Sequence, residues 1–330
     1  MKHLKLGLKI VFVGGLLYFL TRKGFISVQD TRRAFSQRSF IAAALGAYCV
    51  SVLLGVIRWQ ILLRAQGIRL KFMRVFQLTM VGNFFNIALP GAVSGDFVKA
   101  FYVGKEVQGL RARAFGSILF DRVSGLSALV LVSAGAILLG FKSFVGSEML
   151  NGIRFFVSVS AVCVVVFYAY LFLVKEHHDP LLWLFKKIQG RVAAAGALTR
   201  VYEGLRHYHN HRLAVIQVVV ISVAIQLLVG WAAYQFVQAF GVEGHLLSIY
   251  VIVPLGLLIT AIPVLPAGVG TGHAAFLYLF KLIGSDRGAD IFSLVALSNI
   301  LIGALGGLVY LRFRSHEPKP VLAESGEMSA

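Results

Sequence analysis

Long apolar runs alternate along this chain with short, mostly basic connections. Long apolar runs fall near 6–21, 40–57, 115–140, 154–174, 214–239 and 291–311. Each approaches the roughly 20 residues a helix needs to cross a hydrocarbon core about 30 Å thick, the first only by drawing on its flanks. Two further apolar regions are broken by turn-forming residues. The region 75–104 is interrupted at Leu89-Pro90-Gly91 and Ser94-Gly95, and 247–283 at Pro263, Pro266, Gly268, Gly270 and Gly272. Lipid tails cannot hydrogen-bond a free backbone group, so such breaks must be buried in protein or line a wet cavity. The pattern predicts an all-α polytopic membrane protein with about six full crossings and two broken-helix hairpins. A β-barrel is excluded, because its strands would read as short alternating segments.

Charge sets the expected topology. The N-terminus, 58–74, 99–113, 175–213 and the segment from Arg312 are basic, whereas 141–153, 240–246 and 284–290 are nearly neutral or slightly acidic. Basic loops stay in the cytoplasm, so six crossings with both termini cytoplasmic satisfy nearly all of this. The departure is 22–38, which places Arg22, Lys23, Arg32, Arg33 and Arg38 outside. The run 6–21 follows Lys2 and Lys5 but has no small-x-small cleavage site before Thr21, and so reads as an uncleaved span. With this topology 75–104 has both ends inside and 247–283 has both ends outside. The two broken segments then enter as re-entrant hairpins from opposite faces and meet near the midplane, the arrangement of an inverted repeat around a translocation pathway.

Composition agrees: 58% of the 330 residues are hydrophobic and 14% charged, and mean hydropathy is +0.80. The net charge of +18 sits in loops beside apolar runs, which points to anionic lipid headgroups rather than nucleic acid. Cys49 and Cys163 fall inside apolar runs and give no disulfide or metal framework. His207, His209 and His211, with His177 and His178 nearby, lack supporting carboxylates and read as a solvated, pH-sensitive surface rather than a metal site. No Walker loop, nucleophile elbow or dinucleotide fingerprint is present, and no cofactor is expected. Residues 1–312 read as one transmembrane domain and 313–330 as a polar tail. Within the domain, 175–213 reads as a basic amphipathic helix in the cytoplasmic interface, where Trp183, Phe185, Ile188 and Leu205 alternate with Lys186, Lys187, Arg191 and Arg206.

The candidate chemistry sits at the breaks. Asn83 and Asn86 precede the first turn, and Ser94, Asp96 and Lys99 follow it. Asp96 and Lys99 share a helical face at i and i+3. Ser94 or Asp96 is placed to cap a helix opening there, whose N-terminus with Lys99 would favour a phosphate or carboxylate. Asp121 and Arg122 lie about a turn and a half inside their run, where a charge must face the bundle interior or snorkel. Neighbours on a helix point apart, so each needs its own partner; Arg122 with Asp96 and Asp121 with Lys99 are the expected pairs, and Arg122 could instead clamp a lipid phosphate. In the second break the amides around Gly268 and Gly270 would form an anion nest, followed by a titratable His273. Asn299 is a further polar contact within the last run.

At these two breaks the sequence resembles the lysylphosphatidylglycerol synthase transmembrane-region, or flippase-like, family. The likeness is carried by Asn83-x-x-Asn86-x-x-Leu89-Pro90-Gly91, Ser94-Gly95-Asp96-x-x-Lys99-Ala100, Asp121-Arg122 and Pro263-x-x-Pro266-x-Gly268-x-Gly270, over about residues 5–312. The resemblance implies a membrane domain that moves a lipid, or helps to move it, between leaflets of a bacterial-type inner membrane. Bifunctional members add a soluble aminoacyl-transfer domain not found in this sequence, so synthase activity is not carried over. Where the family often has a Glu, this chain has His273, which favours a phosphate-bearing or glycosylated lipid over a cationic aminoacyl one. The leading expectation is a translocase for an anionic, glycosylated or isoprenoid lipid. Two others stand beside it: a non-catalytic membrane partner of a biosynthetic enzyme, and a transferase using Asp96 or Asp121 as base.

Overall fold

The computed structural model describes residues 37–88, 94–107, 109–139, 148–174, 179–189, 193–261 and 271–313. The run 6–21, residues 22–36, the turns 89–93 and 262–270 with Gly268 and Gly270, His177, His178 and the tail from 314 lie outside the described residues. The elements are α1 (Arg38–Ala65), α2 (Phe72–Ala88), α3 (Ser94–Glu106), α4 (Arg111–Leu138), α5 (Glu148–Leu173), α6 (Pro180–Gln189), α7 (Ala193–Arg206), a 3-10 turn (His207–Asn210), α8 (Arg212–Ala239), α9 (Leu246–Thr260), α10 (Thr271–Lys281) and α11 (Gly288–Arg312). Among the described residues, α1, α4, α5, α8 and α11 are long and apolar enough to cross a membrane. They coincide with five of the six crossings read from the sequence.

The remaining apolar helices form two pairs with short arms. The 17 residues of α2 and 13 of α3 extend about 25 and 20 Å at 1.5 Å per residue. The 15 residues of α9 and 11 of α10 extend about 22 and 16 Å. Both feet of the first pair stand at one end of the bundle, where Arg74 at the start of α2 forms an ion pair with Glu106 at the end of α3. Both feet of the second pair stand at the other end, tied by short links to the end of α8 and the start of α11. The arms stop at mid-depth. Ile87, near the end of α2, packs against Gly303, about 14 Å from the last residue of α11 by helical rise. Thr260 and Ala261, at the end of α9, share a cavity wall with Val295 and Asn299 of α11. Two hairpins therefore enter the bundle from opposite ends.

Close helix approach comes from glycines, as is usual where lipid supplies no hydrophobic drive for association. A Cβ on Gly306 would come to 2.1 Å from the Met80 carbonyl oxygen, which lets α11 lie directly on α2. A Cβ on Gly95 would come to 2.0 Å from the Gly82 carbonyl oxygen, which sets the α2–α3 contact. At the periphery α5 turns Phe155, Val162, Val165 and Val166 outward, a surface suited to lipid tails.

One end of the bundle is basic, carrying Arg64, Lys71, Arg74, Lys105, Arg111 and Arg212. It is knitted together by backbone acceptors: the Gln66 amide donates to the Gly204 carbonyl at 2.6 Å, Tyr208 to the Leu62 carbonyl at 3.1 Å, and Arg212 to the Phe172 carbonyl at 3.1 Å. The opposite end is mixed, with Arg287 paired to Asp290 at 3.0 Å.

The 175–213 segment differs from the single interfacial helix expected of it. It builds α6, α7 and the 3-10 turn, and α7 packs on α4 through Gly204 and Gly116. Arg206, placed by periodicity on an amphipathic surface, turns inward instead onto Asp179, as does Tyr202. The Asp179 side chain is 0% exposed and that of Arg206 3%, with Arg206 Nε 2.8 Å from Asp179 Oδ2. Tyr202 donates to Oδ2 at 2.9 Å and Tyr170 to Oδ1 at 2.7 Å. Asp179 also caps α6, accepting the Leu181 and Leu182 N–H groups at 3.0 Å, with Pro180 at the first helical position, where a missing N–H costs nothing. Leu181, Trp183 and Leu184 remain exposed on α6, with Lys187 over the Trp183 ring, which keeps an interfacial face on this one helix.

Candidate functional site: a polar cavity between the hairpins

A cavity of about 460 Å³ opens between the hairpins and is walled by α1, α2, α3, α4, α8, α9 and α11. Its size falls in the range of roughly 300–1,000 Å³ usual for small-molecule sites. Asn83, Asn86, Asp96, Lys99, Asp121 and Arg122, all singled out in the sequence, line it together, as does Asn299.

Each charge has a distinct environment. Arg122 Nη2 lies 2.7 Å from Asp96 Oδ2 and its Nε donates to the same oxygen at 2.8 Å, so that expected pair forms. The other does not: Asp121 Oδ1 accepts from Arg58 Nε at 2.7 Å rather than from Lys99. Arg58 was missed because the apolar run ends at 57, while the helix continues to Ala65 and carries Arg58 into the wall. Its Nη1 also donates to Ser222 Oγ at 3.1 Å, tying α1 to α8. Lys99 is only 6% exposed. Its Nζ sits 4.1 Å from the centroid of a Trp59 ring that is itself held by a 3.2 Å bond from Nε1 to Ser117 Oγ. No carboxylate among the described residues pairs with Lys99. A cation–π contact is worth up to about 2 kcal/mol when desolvated, whereas burying an ion costs several kcal/mol. The cation–π contact alone therefore does not offset the burial of the ammonium. Arg58, Lys99 and Arg122 against Asp96 and Asp121 leave the wall with one net positive charge.

The start of α3 is built differently from the expected self-cap. The Gly95 N–H donates to Asn86 Oδ1 at 2.8 Å, so α2 caps α3. Ser94 Oγ donates to the Phe85 carbonyl at 3.2 Å and lines a separate apolar groove with Phe97, Phe101 and Tyr102 on the outer face of α3. Asp96 is thereby left for Arg122. His273 is not part of the cavity wall: its Nε2 lies 3.1 Å from Ser293 Oγ, and its ring meets Phe292 edge-on at 4.8 Å. Gly268 and Gly270 lie outside the described residues. Tyr48, Thr79 and Gln226, unremarked in the sequence, also line the cavity. Gln226 is one of four glutamines in the 214–239 run, with Gln217, Gln235 and Gln238, so the sequence alone did not single it out. At the 3-10 turn His209 Nδ1 lies 2.9 Å from the Leu171 carbonyl oxygen, and just after it His211 Nδ1 lies 3.2 Å from the His207 carbonyl oxygen.

Fold and site together define a polytopic helical membrane protein with a charged cavity between two opposed hairpins. Residues 6–314 match the family model described as the lysylphosphatidylglycerol synthase TM region, and the chain belongs to that family. It is 23% identical over 311 residues to a UPF0104 membrane protein of Methanothermobacter thermautotrophicus, covering 87% of this chain and 88% of the relative. A UPF0104 membrane protein of Pyrococcus horikoshii is 31% identical over 94 residues, 28% of each chain. No solved structure matches.

Proposed function

We propose that the protein is a lipid translocase or translocation facilitator for an anionic, glycosylated or isoprenoid lipid. The headgroup passes through the cavity between the hairpins while the tails stay in the bilayer beside the apolar groove on α3. The observation that carries this reading is Lys99, a buried ammonium on the wall of a mid-depth cavity with no carboxylate partner among the described residues. Arg122 and Arg58, each neutralised by its own Asp, add hydrogen-bond donors without adding net charge. The basic end faces the cytoplasm of a bacterial-type inner membrane, as basic loops do, and concentrates anionic lipid there.

The test is leaflet exchange in liposomes containing the purified protein and fluorescent phosphatidylglycerol or an isoprenoid phosphate. Protein-dependent exchange lost in Asp96→Asn and Arg122→Ala supports the reading. Folded protein that exchanges neither lipid class refutes it.

A further inference from the structure

The charge on Lys99 is not balanced by the protein around it. The other charged side chains of the cavity wall form two pairs, Arg122 with Asp96 and Arg58 with Asp121. Asp96 lies one turn before Lys99 on α3 yet faces Arg122. Among the described residues the ammonium is met by the Trp59 ring and by no hydrogen-bond acceptor.

The position is built by its neighbours. The Lys99 stem crosses α2 at Gly82, where a Cβ would come to 2.6 Å from Lys99 Cδ. Trp59 is fully buried and is pinned by its Nε1 to Ser117 Oγ. Stem and head are both held, so this lysine does not snorkel to the membrane surface as those near helix ends do. A second donor opens on the same cavity. Asn86 Oδ1 accepts the Gly95 N–H at 2.8 Å, which leaves the NH₂ end of the amide to donate, and Asn86 and Lys99 both line the wall. An ammonium in a low-dielectric site needs a counter-charge. Here the two carboxylates of the wall are already engaged by Arg, and the donors left over suit an anion of one charge.

We propose that Lys99 and Asn86 hold a small monovalent inorganic anion, such as chloride, as counter-ion to the ammonium when no headgroup occupies the cavity. The site stands without the translocase reading. Where that reading holds, the lipid phosphate displaces the ion from the same ammonium.

Trp59 supplies the readout, because it is closed to collisions from solvent and lies directly under the ammonium. Replacing Trp183 and Trp231 by Phe leaves it as the sole tryptophan of the three in the chain. The full chain in detergent is titrated with iodide, a fluorescence quencher, at constant total salt made up with gluconate. The expected result is quenching that saturates with a midpoint on the order of 1–10 mM, is reversed by excess chloride, and is absent in Lys99→Met. No quenching, quenching that stays linear in iodide, or the same saturating curve in folded Lys99→Met overturns the proposal; a lysine that has lost its proton gives the first of these. Should Lys99→Met fail to fold, the chloride competition decides, and quenching that excess chloride does not reverse overturns the proposal. Phosphatidylglycerol exchange is followed in parallel in chloride and in gluconate vesicles, and slower exchange in chloride supports a shared ammonium. A saturating, chloride-reversible signal with no lipid exchange refutes translocation and keeps the ion site. Lipid exchange with no halide signal refutes the ion site alone.

Discussion

The elbow at Asp179 makes the sharpest stability test, because its ion pair is fully enclosed. Asp179→Asn keeps the shape and removes only the charge facing Arg206, whose side chain is 3% exposed. It also puts an amide donor where Tyr170, Tyr202 and the Leu181 and Leu182 N–H groups all need acceptors. Removing one partner of a buried pair costs about 3–5 kcal/mol, whereas replacing both by neutral groups is often close to neutral. Asp179→Asn is therefore expected to lose about 3–5 kcal/mol, and the double variant Asp179→Asn/Arg206→Met to recover more than half of it. The assay is chemical unfolding in mixed micelles, run as a double-mutant cycle. A loss below about 1 kcal/mol for Asp179→Asn, or strictly additive single losses, would refute the reasoning. The same site sets a pH dependence. Burial pushes the Asp179 carboxyl up, but the Leu182 N–H, the Tyr170 and Tyr202 hydroxyls and the Arg206 guanidinium outweigh it and hold it below the ordinary value. A group depressed on folding contributes stability above its unfolded pKa of about 3.9 and loses it as pH falls through the lower folded value. Wild type should therefore lose stability below about pH 4 more steeply than Asp179→Asn.

Other substitutions probe the cavity wall and its packing. Gly306→Ala drives a Cβ into the Met80 carbonyl oxygen and should cost about 1–3 kcal/mol or more through overpacking. Gly135→Ala, whose Cβ meets nothing within 4 Å, should be neutral or slightly stabilising in the same unfolding assay. Asn86→Ala removes the acceptor for the Gly95 N–H and should cost about 1 kcal/mol. Asn86→Asp keeps that acceptor but takes the wall from one net positive charge to none, so it should fold well and slow the exchange of an anionic lipid.

Much of this architecture was legible because membranes impose coarse rules. Apolar run length located α1, α4, α5, α8 and α11, and the two Pro/Gly breaks located the hairpins. The Asp96–Arg122 pair was legible because a charge inside hydrocarbon must find a partner, and few partners exist. Run boundaries concealed Arg58, which sits one residue beyond an apolar run yet inside its helix, and so captured Asp121. Self-capping by Ser94 was reasonable on local grounds, but close packing at Gly82 and Gly95 brings the Asn86 amide to the helix start first. Asp179 was missed because its value lies in long-range partners, Tyr202 and Arg206, the second of which periodicity had assigned to a surface.

Whether headgroups pass between the hairpins can be tested by clamping them. Asn86, on the first hairpin, and Thr260, on the second, face the same cavity. With Cys49 and Cys163 first replaced by Ser, Asn86→Cys and Thr260→Cys would be joined by a short bis-methanethiosulfonate, and phosphatidylglycerol exchange followed before and after reduction. Exchange that stops on linking and returns with the reductant is the expected result. Exchange that continues at the same rate through a fully linked population would contradict passage between the hairpins.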